Sequence, residues 1–244
     1  MRPTPLQSKT QRAALSGNAL KPHADVPWEE IAANHARLRQ RAALHARFGF
    51  DSDASVRFVV DRALPLSGQV LDIGTGKGRF AVVLAQHAAN VTTVDVSAEE
   101  QAAARLEALF LDVASRIDFV LADARSLPWR AASFDAVVSW NVIHHLEDPE
   151  GVFGEMLRVL KPGGKLVLVD FSPSGFQLMD RIHAAEGRRH PHPPSPFPGW
   201  RARLKARGFQ VRRFVGCHEE VLVAIPLQPR ADASPPAGGL VGKQ

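Results

Sequence analysis

The chain contains no tyrosine and only one cysteine, Cys217, among its 244 residues. A lone cysteine cannot form an internal disulfide or a cysteine-based zinc site, so we expect a reducing compartment. No apolar run approaches the roughly 20 residues that span a bilayer, and the N-terminal stretch lacks the apolar segment of a signal peptide. These absences predict a cytoplasmic protein without a membrane span and without a bound metal.

Basic residues exceed acidic ones, which gives a formal net charge of +5 and a pI of about 9.9. Such a charge attracts anions, including nucleic acid. No dense basic run with interleaved aromatic residues is present, however, so nucleic acid is a disfavoured partner. The hydrophobic fraction of 45% and the charged fraction of 23% are typical of a globular protein.

The two ends of the chain differ in composition from its middle. Residues 1–26 and 230–244 are polar, contain proline and glycine, and lack periodicity, which predicts flexible tails. Residues 27–229 are expected to form a single domain. Its first part, 27–66, has apolar residues at helical spacing, which predicts helices over 27–48 and 53–64. No pattern indicates an oligomeric state.

Short apolar strands then alternate with helical patterns, which implies right-handed βαβ units and a mostly parallel sheet. The predicted strands are 69–72, 91–95, 117–121, 134–139 and 165–170. The last two predicted strands, 209–215 and 221–225, have only a short connection. They therefore predict an antiparallel hairpin at this end of the sheet.

Residues 172–200 interrupt the alternation with a short predicted helix near 176–185 and the proline-rich stretch HPHPPSPFPGW. The segment follows the fifth strand, at the sheet edge where open α/β sheets bind ligands, so we interpret it as a substrate cover. Its basic residues Arg181, His183 and His190 are candidate substrate ligands. A solvated basic loop is the alternative.

The most informative motif is VLDIGTGKG, residues 70–78, in which a buried strand runs into a glycine-rich turn and then a helix. Glycines at such a turn allow positive φ and let a ligand approach the backbone closely. The spacing is G-x-G-x-G, whereas the dinucleotide fingerprint is G-x-G-x-x-G. A tight turn that binds no ligand remains an alternative for this motif taken alone.

Two carboxylates follow the next strands. Asp95 ends the second strand, about twenty residues after the glycine turn, where a carboxylate can accept hydrogen bonds from ribose hydroxyls. Asp123 follows the third strand, with the backbone amide of Ala124 beside it, and is suited to the adenine amino group. For each aspartate, an ordinary capping or loop role is the alternative.

Five segments, in order VLDIGTGKG, VTTVD, LADARSLPW, SFDAVVSWNVIHHLEDP and VLKPGGKLVLVDF, extend over residues 69–171. Together they resemble the consecutive motifs of class I S-adenosylmethionine (SAM)-dependent methyltransferases, in the small-molecule branch related to the ubiquinone/menaquinone C-methyltransferases. The resemblance implies an α/β Rossmann-like fold whose seven-stranded sheet has order 3-2-1-4-5-7-6, with strand seven antiparallel and helices on both faces. It implies SAM as cofactor and a small-molecule methyl acceptor.

The resemblance also implies the cofactor-binding residues. Those expected to contact SAM are Asp72, Gly74, Thr75, Gly76, Asp95, Val96, Asp123, Ala124 and Asn141. Asn141 is expected beside the methionine part, near the transferred methyl group. Many relatives place an N-terminal tyrosine against SAM. This chain has none, so we expect His45, Phe48 or Phe50 on that side.

Methyl transfer is an in-line displacement, and a general base is needed only when the nucleophile must lose a proton. His144 and His145 follow Asn141 and are candidate catalytic bases, with packing as the alternative role. Three other functions remain open for the whole chain: an NAD(P)-dependent oxidoreductase, a non-catalytic SAM-binding protein and an RNA methyltransferase. The motifs do not distinguish methylation at O, N, C or S.

Overall fold

A computed structural model describes residues 26–87, 90–187, 197 and 199–227. Its centre is a seven-stranded sheet in the order β3-β2-β1-β4-β5-β7-β6. The strands are β1 Gln69–Ile73, β2 Asn90–Asp95, β3 Ile117–Leu121, β4 Phe134–Trp140, β5 Leu160–Phe171, β6 Phe209–Gly216 and β7 Glu219–Pro226. Strands β1 to β5 pair in parallel, and β7 is antiparallel to both of its neighbours. The predicted Rossmann-like α/β fold is confirmed.

Seven α-helices surround the described part of the sheet. They are α1 Trp28–Arg47, α2 Ser52–Ala63, α3 Arg79–His87, α4 Ala98–Phe110, α5 Pro149–Val159, α6 Pro173–Ala185 and α7 Trp200–Ala206. Side-chain caps fix several starts: the Ser97 hydroxyl accepts from the Glu100 amide (3.1 Å), and the Asp148 carboxylate accepts from the Gly151 amide (2.9 Å).

Alternate residues of the central strands pack on opposite faces of the sheet. Val70 and Val138 join a core that α2, α3 and α4 complete. Leu71 and Val137 face a second core, which α5 and α7 complete. The helix α1 lies across α4, where the Asn34 amide donates to the Ala103 carbonyl (3.0 Å).

Two element boundaries differ from the sequence prediction by three residues or more. Strand β5 begins at Leu160 rather than at residue 165, because Leu160 pairs with Phe134 while Lys165 pairs with Ala136, which leaves the intervening residues as an irregularity in the ladder. Helix α6 begins at Pro173 because the Ser172 hydroxyl caps it, accepting from the Gly175 amide (3.2 Å).

The segment predicted as a substrate cover divides into unlike parts. Its last residue, Trp200, is fully buried and stacks on Phe153, with ring centroids 4.4 Å apart. Phe176 and Ile182 of α6 are buried in a small core with Phe50. Residues 188–196 and 198 lie outside the described residues, as do 1–25 and 228–244, which hold most of the predicted tails. Within the described ranges, no helix has the length and apolar character to cross a membrane.

Candidate functional site

The glycine turn after β1 has the backbone geometry that its sequence predicts. Gly74, Gly76 and Gly78 have φ of 84°, 47° and 81°, a region that side chains disfavour. The amide of Gly74 donates to the Val94 carbonyl (2.9 Å), which fixes the turn against β2. A Cβ at Gly76 would meet no atom within 4 Å, so the backbone there is open to a ligand.

A cavity of about 1090 Å³ opens beside this turn, at the carboxyl ends of the parallel strands. Small-molecule sites commonly occupy about 300–1,000 Å³, so this cavity lies at the upper end of that range. Eight of the nine predicted cofactor residues line it: Gly74, Thr75, Gly76, Asp95, Val96, Asp123, Ala124 and Asn141.

Asp95, at the end of β2, is held at the cavity wall by backbone donors. Its Oδ2 accepts from the Gly76 amide (2.8 Å) and its Oδ1 from the Ser97 amide (2.9 Å). Each carboxylate oxygen has a further lone pair, so the fixed group can still accept hydrogen bonds from a ligand. The arrangement links the glycine turn directly to the carboxylate predicted to bind ribose.

Asp123 lies on the opposite side of Asp95 from the glycine turn, beyond β3. Its carboxylate accepts from the Arg125 guanidinium (2.7 Å from Nη2 to Oδ2) and from the Arg125 amide (2.8 Å). The Arg125 side chain holds the pKa of Asp123 below its usual value. An adenine amino group that binds Asp123 would compete with Arg125 for the carboxylate. The neighbouring Ala124 also lines the cavity.

Asp72 does not line the cavity, although the sequence predicts it as a cofactor residue. It is buried beneath the glycine turn, where the Thr93 hydroxyl donates to its Oδ2 (2.8 Å). The hydroxyls of Thr93 and Thr75 lie 2.8 Å apart, so Asp72 supports the turn through two threonines. Burial raises the pKa of Asp72 to about 7.

Asn141 follows β4 with a left-handed backbone, φ 54°, that directs its amide toward Glu219. When its side-chain oxygen faces the Trp140 indole N–H (3.2 Å), its nitrogen donates to Glu219 (3.0 Å). The Ser55 hydroxyl of α2 also donates to Glu219 (2.7 Å). Glu219 is fully buried, and burial raises its pKa to about 7. Sequence reasoning missed Glu219, because its partners are distant in the chain.

The two candidate bases occupy different environments. His144 is buried, and its Nδ1 lies 2.5 Å from Oδ1 of Asp170, whose other oxygen accepts from the His144 amide (3.1 Å). His145 lines the cavity, whereas His144 does not. The two rings lie 4.0 Å apart. Of the two, only His145 is therefore placed to meet a bound molecule directly.

Helices α1 and α2 cover the cavity on the side where the sequence predicts a replacement for tyrosine. His45 and Phe50 line the cavity, and Phe48 packs against the aromatic cluster around Phe50. Burial lowers the pKa of His45 to about 4, and the charge of Arg41 acts in the same direction. His45 is therefore neutral at pH 7.

The predicted substrate ligands of the insert are not part of the cavity wall. Arg181 is exposed and His183 is buried within α6, and neither lines the cavity. His190 lies outside the described residues. Arginines of the first three helices line the cavity instead: Arg39, Arg41, Arg57 and Arg79. The four-residue spacing of Arg41 and His45 on one predicted helix is the signal that indicates a shared face.

Among the residues that the structure describes, no group of three or more His, Cys, Asp or Glu side chains could hold a metal ion.

Residues 71–168 match the family model described as a methyltransferase domain. The 27-O-demethylrifamycin SV methyltransferase of Amycolatopsis mediterranei is 39% identical over 121 residues, which cover 47% of this chain and 44% of that protein. The demethylmenaquinone methyltransferase of Clavibacter sepedonicus is 35% identical over 132 residues, which cover 53% of each. The chain thus spans about half the length of the curated relatives it matches.

Solved structures with a similar fold include a SAM-dependent methyltransferase from Aquifex aeolicus. It has a TM-score of 0.53 and 20% identity, with 83% of this chain and 100% of that one covered. The [4+2]-cyclase SpnF has a TM-score of 0.54 and 21% identity, with 71% and 81% covered. These likenesses establish the fold alone.

Proposed function

We propose that this chain, which carries a methyltransferase domain of the class I fold over residues 71–168, transfers a methyl group from SAM to a small-molecule acceptor. One observation carries the proposal. The Asp95 carboxylate is fixed by the Gly76 amide at the wall of a cavity of about 1090 Å³. A carboxylate suited to ribose hydroxyls, a glycine turn and a large cavity thus occur together.

The predicted cofactor residues fit the adenosyl and methionine parts of SAM in order along the cavity. We assign the ribose to Asp95 and Val96, and the adenine to Asp123 and Ala124. The methionine part is assigned to the turn at Gly74–Gly76 and to Asn141, with Asp72 supporting the turn from below. The open space at the Gly76 Cβ position supports close approach of a ligand to this backbone.

Bound SAM supplies an electrophilic methyl group, and the chain's residues orient the acceptor and exclude water. We assign His145 as the general base for an acceptor that must lose a proton, because it lines the cavity beyond Asn141. His144, held by Asp170, packs behind His145 and positions it. Both roles apply when the acceptor's nucleophile, for example a hydroxyl group, must lose a proton.

Replacing His145 by asparagine tests this assignment. A general base contributes about 10²–10⁴-fold, so we expect kcat with a hydroxyl acceptor to fall by about that factor while S-adenosylhomocysteine (SAH) affinity stays unchanged. The decrease of kcat at acidic pH, which protonation of the base causes, should also disappear. A variant that keeps wild-type kcat and the same pH profile would remove His145 from the mechanism.

The alternative functions make different demands on the site. An oxidoreductase would use the same turn and Asp95, but the match to a methyltransferase domain disfavours it. An RNA methyltransferase would need a basic surface outside the cavity. The two relatives described above are instead named for small-molecule substrates, a demethylrifamycin and a demethylmenaquinone. A non-catalytic SAM-binding protein would keep cofactor affinity without turnover. We further propose a cytoplasmic location, supported by the free, exposed Cys217.

Isothermal titration calorimetry with SAH and with NADH tests the proposal. We expect SAH to bind one-to-one and NADH to give no binding heat. Binding of NADH without SAH would replace the proposed transferase with an oxidoreductase. A second assay incubates the protein with methyl-labelled SAM and a metabolite extract. If SAH binds but no component of the extract becomes labelled, the non-catalytic alternative holds.

A further inference from the structure

The cavity is unusually basic on the side formed by α1, α2 and the start of α3. Arg39, Arg41, Arg57 and Arg79 all line it there. One acidic residue, Asp53, lies among them on the same wall, and it is the ion-pair partner of Arg39 (3.7 Å). Within the described part of the chain, Arg41, Arg57 and Arg79 have neither a hydrogen bond nor an ion pair.

Arg79 and Arg41 are close enough to influence each other. The pKa of Arg79 is lowered, first by desolvation, and the charges of Arg41 and Arg39 act in the same direction. Asp53 and Glu219 oppose the shift. Both carboxyls are already engaged, however: Asp53 pairs with Arg39, and Glu219 accepts from Ser55. Arg57 also lies near the Asp51 carboxylate, whose pKa it lowers, so the four arginines face two carboxylates and the cluster keeps a net positive charge.

SAM would not neutralise this charge. The cofactor carries one carboxylate but also a sulfonium and an ammonium group, so its net charge is positive. Its carboxylate could pair with one arginine, and two would stay unpaired beside a further cation. Arg57 and Arg79 keep exposed surface and Arg41 is half-buried, so the guanidinium groups are accessible to a ligand. Their planar donors suit carboxylate or phosphate oxygens.

We propose that the methyl acceptor is an anion, and that Arg41, Arg57 and Arg79 bind its carboxylate or phosphate group. The inference rests on the proposed transferase function and names the substrate class for that site. The neutral ring of His45, which lines the cavity beside Arg41, adds a hydrogen-bonding group to this subsite. The acceptor's anionic group is thereby fixed at the helical wall of the cavity that His145 also lines.

Ligand-observed NMR on the SAH-loaded protein tests the proposal with matched probes. The probes are aromatic and aliphatic carboxylic acids, each paired with its primary amide. We expect the acids to bind at least tenfold more tightly than their amides. Replacing Arg41 or Arg79 by glutamine should remove this preference, whereas the control R47Q, on an exposed part of α1 outside the cavity, should keep it. No acid binding, equal binding of acids and amides, or a preference that survives both substitutions would overturn the proposal.

A second arm separates the acceptor's anion from the cofactor's own carboxylate. SAH carries that carboxylate and 5′-methylthioadenosine lacks it. If R41Q and R79Q weaken SAH tenfold, leave 5′-methylthioadenosine unchanged and keep the acid preference, the arginines serve the cofactor and the proposal is wrong. Retained SAH affinity with lost acid preference supports it. A wild-type protein that binds no SAH would instead refute the proposed function.

Discussion

The carboxyl group of Asp95 is held in a fixed orientation by specific hydrogen-bond donors. Asp95 connects the glycine turn to the predicted ribose position through the Gly76 amide. Replacing it by asparagine removes the charge that strengthens hydrogen bonds to ribose hydroxyls. We expect SAH affinity to fall by more than about tenfold, roughly 1.4 kcal/mol, measured by calorimetry.

The matched control for that variant is D118N, an exposed aspartate on the neighbouring strand β3 that does not line the cavity. It should bind SAH as the wild-type protein does. A folded D95N variant with wild-type affinity would contradict the ribose assignment.

The buried Glu219 makes stability depend on pH. Burial raises its pKa from 4.5 to about 7, so between these values the folded state holds a proton that the unfolded state releases. The free energy of unfolding should therefore fall as pH rises from about 4.5 to 7, by at most about 1.4 kcal/mol per pH unit for this group. Below pH 4.5 its contribution is fully present.

Urea unfolding at pH 5 and pH 7.5 checks this dependence. The variant E219Q should lose less stability between the two pH values than the wild-type protein does. Some dependence should persist, because Asp72 is buried with a pKa that is also raised to about 7. An E219Q variant with an unchanged pH dependence would show that Glu219 does not titrate in this range.

At the scale of elements, the glycine turn and the loop after β4 fit against each other without spare room. A Cβ added at Gly74 would lie 2.2 Å from Cγ2 of Val142, and φ at Gly74 is 84°. We expect G74A to lose stability through both steric overlap and a left-handed backbone that costs about 1–2 kcal/mol. Thermal unfolding of G74A and of G74A/V142A separates these causes.

The double variant should recover the part of the loss that is due to overlap and keep the backbone part. V142A alone measures the loss of stability that removal of the valine side chain causes. If the double variant is no more stable than the sum of the single effects predicts, the two segments are not in contact.

Helix α7 packs against helix α5 through Trp200. Its ring is fully buried against Phe153, and its indole donates to Glu150 (2.8 Å). We expect W200A to cost about 3–5 kcal/mol of unfolding free energy, measured in urea. The control W28A removes a tryptophan that is 61% exposed and should cost much less. Equal losses would contradict the assignment of Trp200 to the core.

Element periodicity explains why much of the fold could be predicted. Apolar runs at β1 to β5 and the closely spaced hairpin strands indicate a mostly parallel sheet with an antiparallel end, and local caps such as Ser97 fix helix starts. The boundary of β5 was predicted wrongly, because Leu160 is in a strand owing to its pairing with Phe134, which no local pattern encodes.

At the scale of the whole molecule, the cavity joins segments that are far apart in sequence. The cofactor side follows motifs within 71–168, which local sequence reveals. The proposed acceptor side does not, because its arginines come from three separate helices. Their convergence depends on how α1 and α2 pack on the domain. The sequence therefore indicates the cofactor candidates, whereas of the predicted substrate residues Arg181 and His183 do not line the cavity.

Determining a crystal structure of the protein in complex with SAH would test most directly the claim that this cavity binds the cofactor beside the acceptor. We predict that the ribose hydroxyls contact Asp95, that the adenine lies beside Ala124, and that the sulfur atom faces open cavity lined by His145 and the arginines. A nucleoside bound elsewhere, or a sulfur atom turned away from that space, would contradict it.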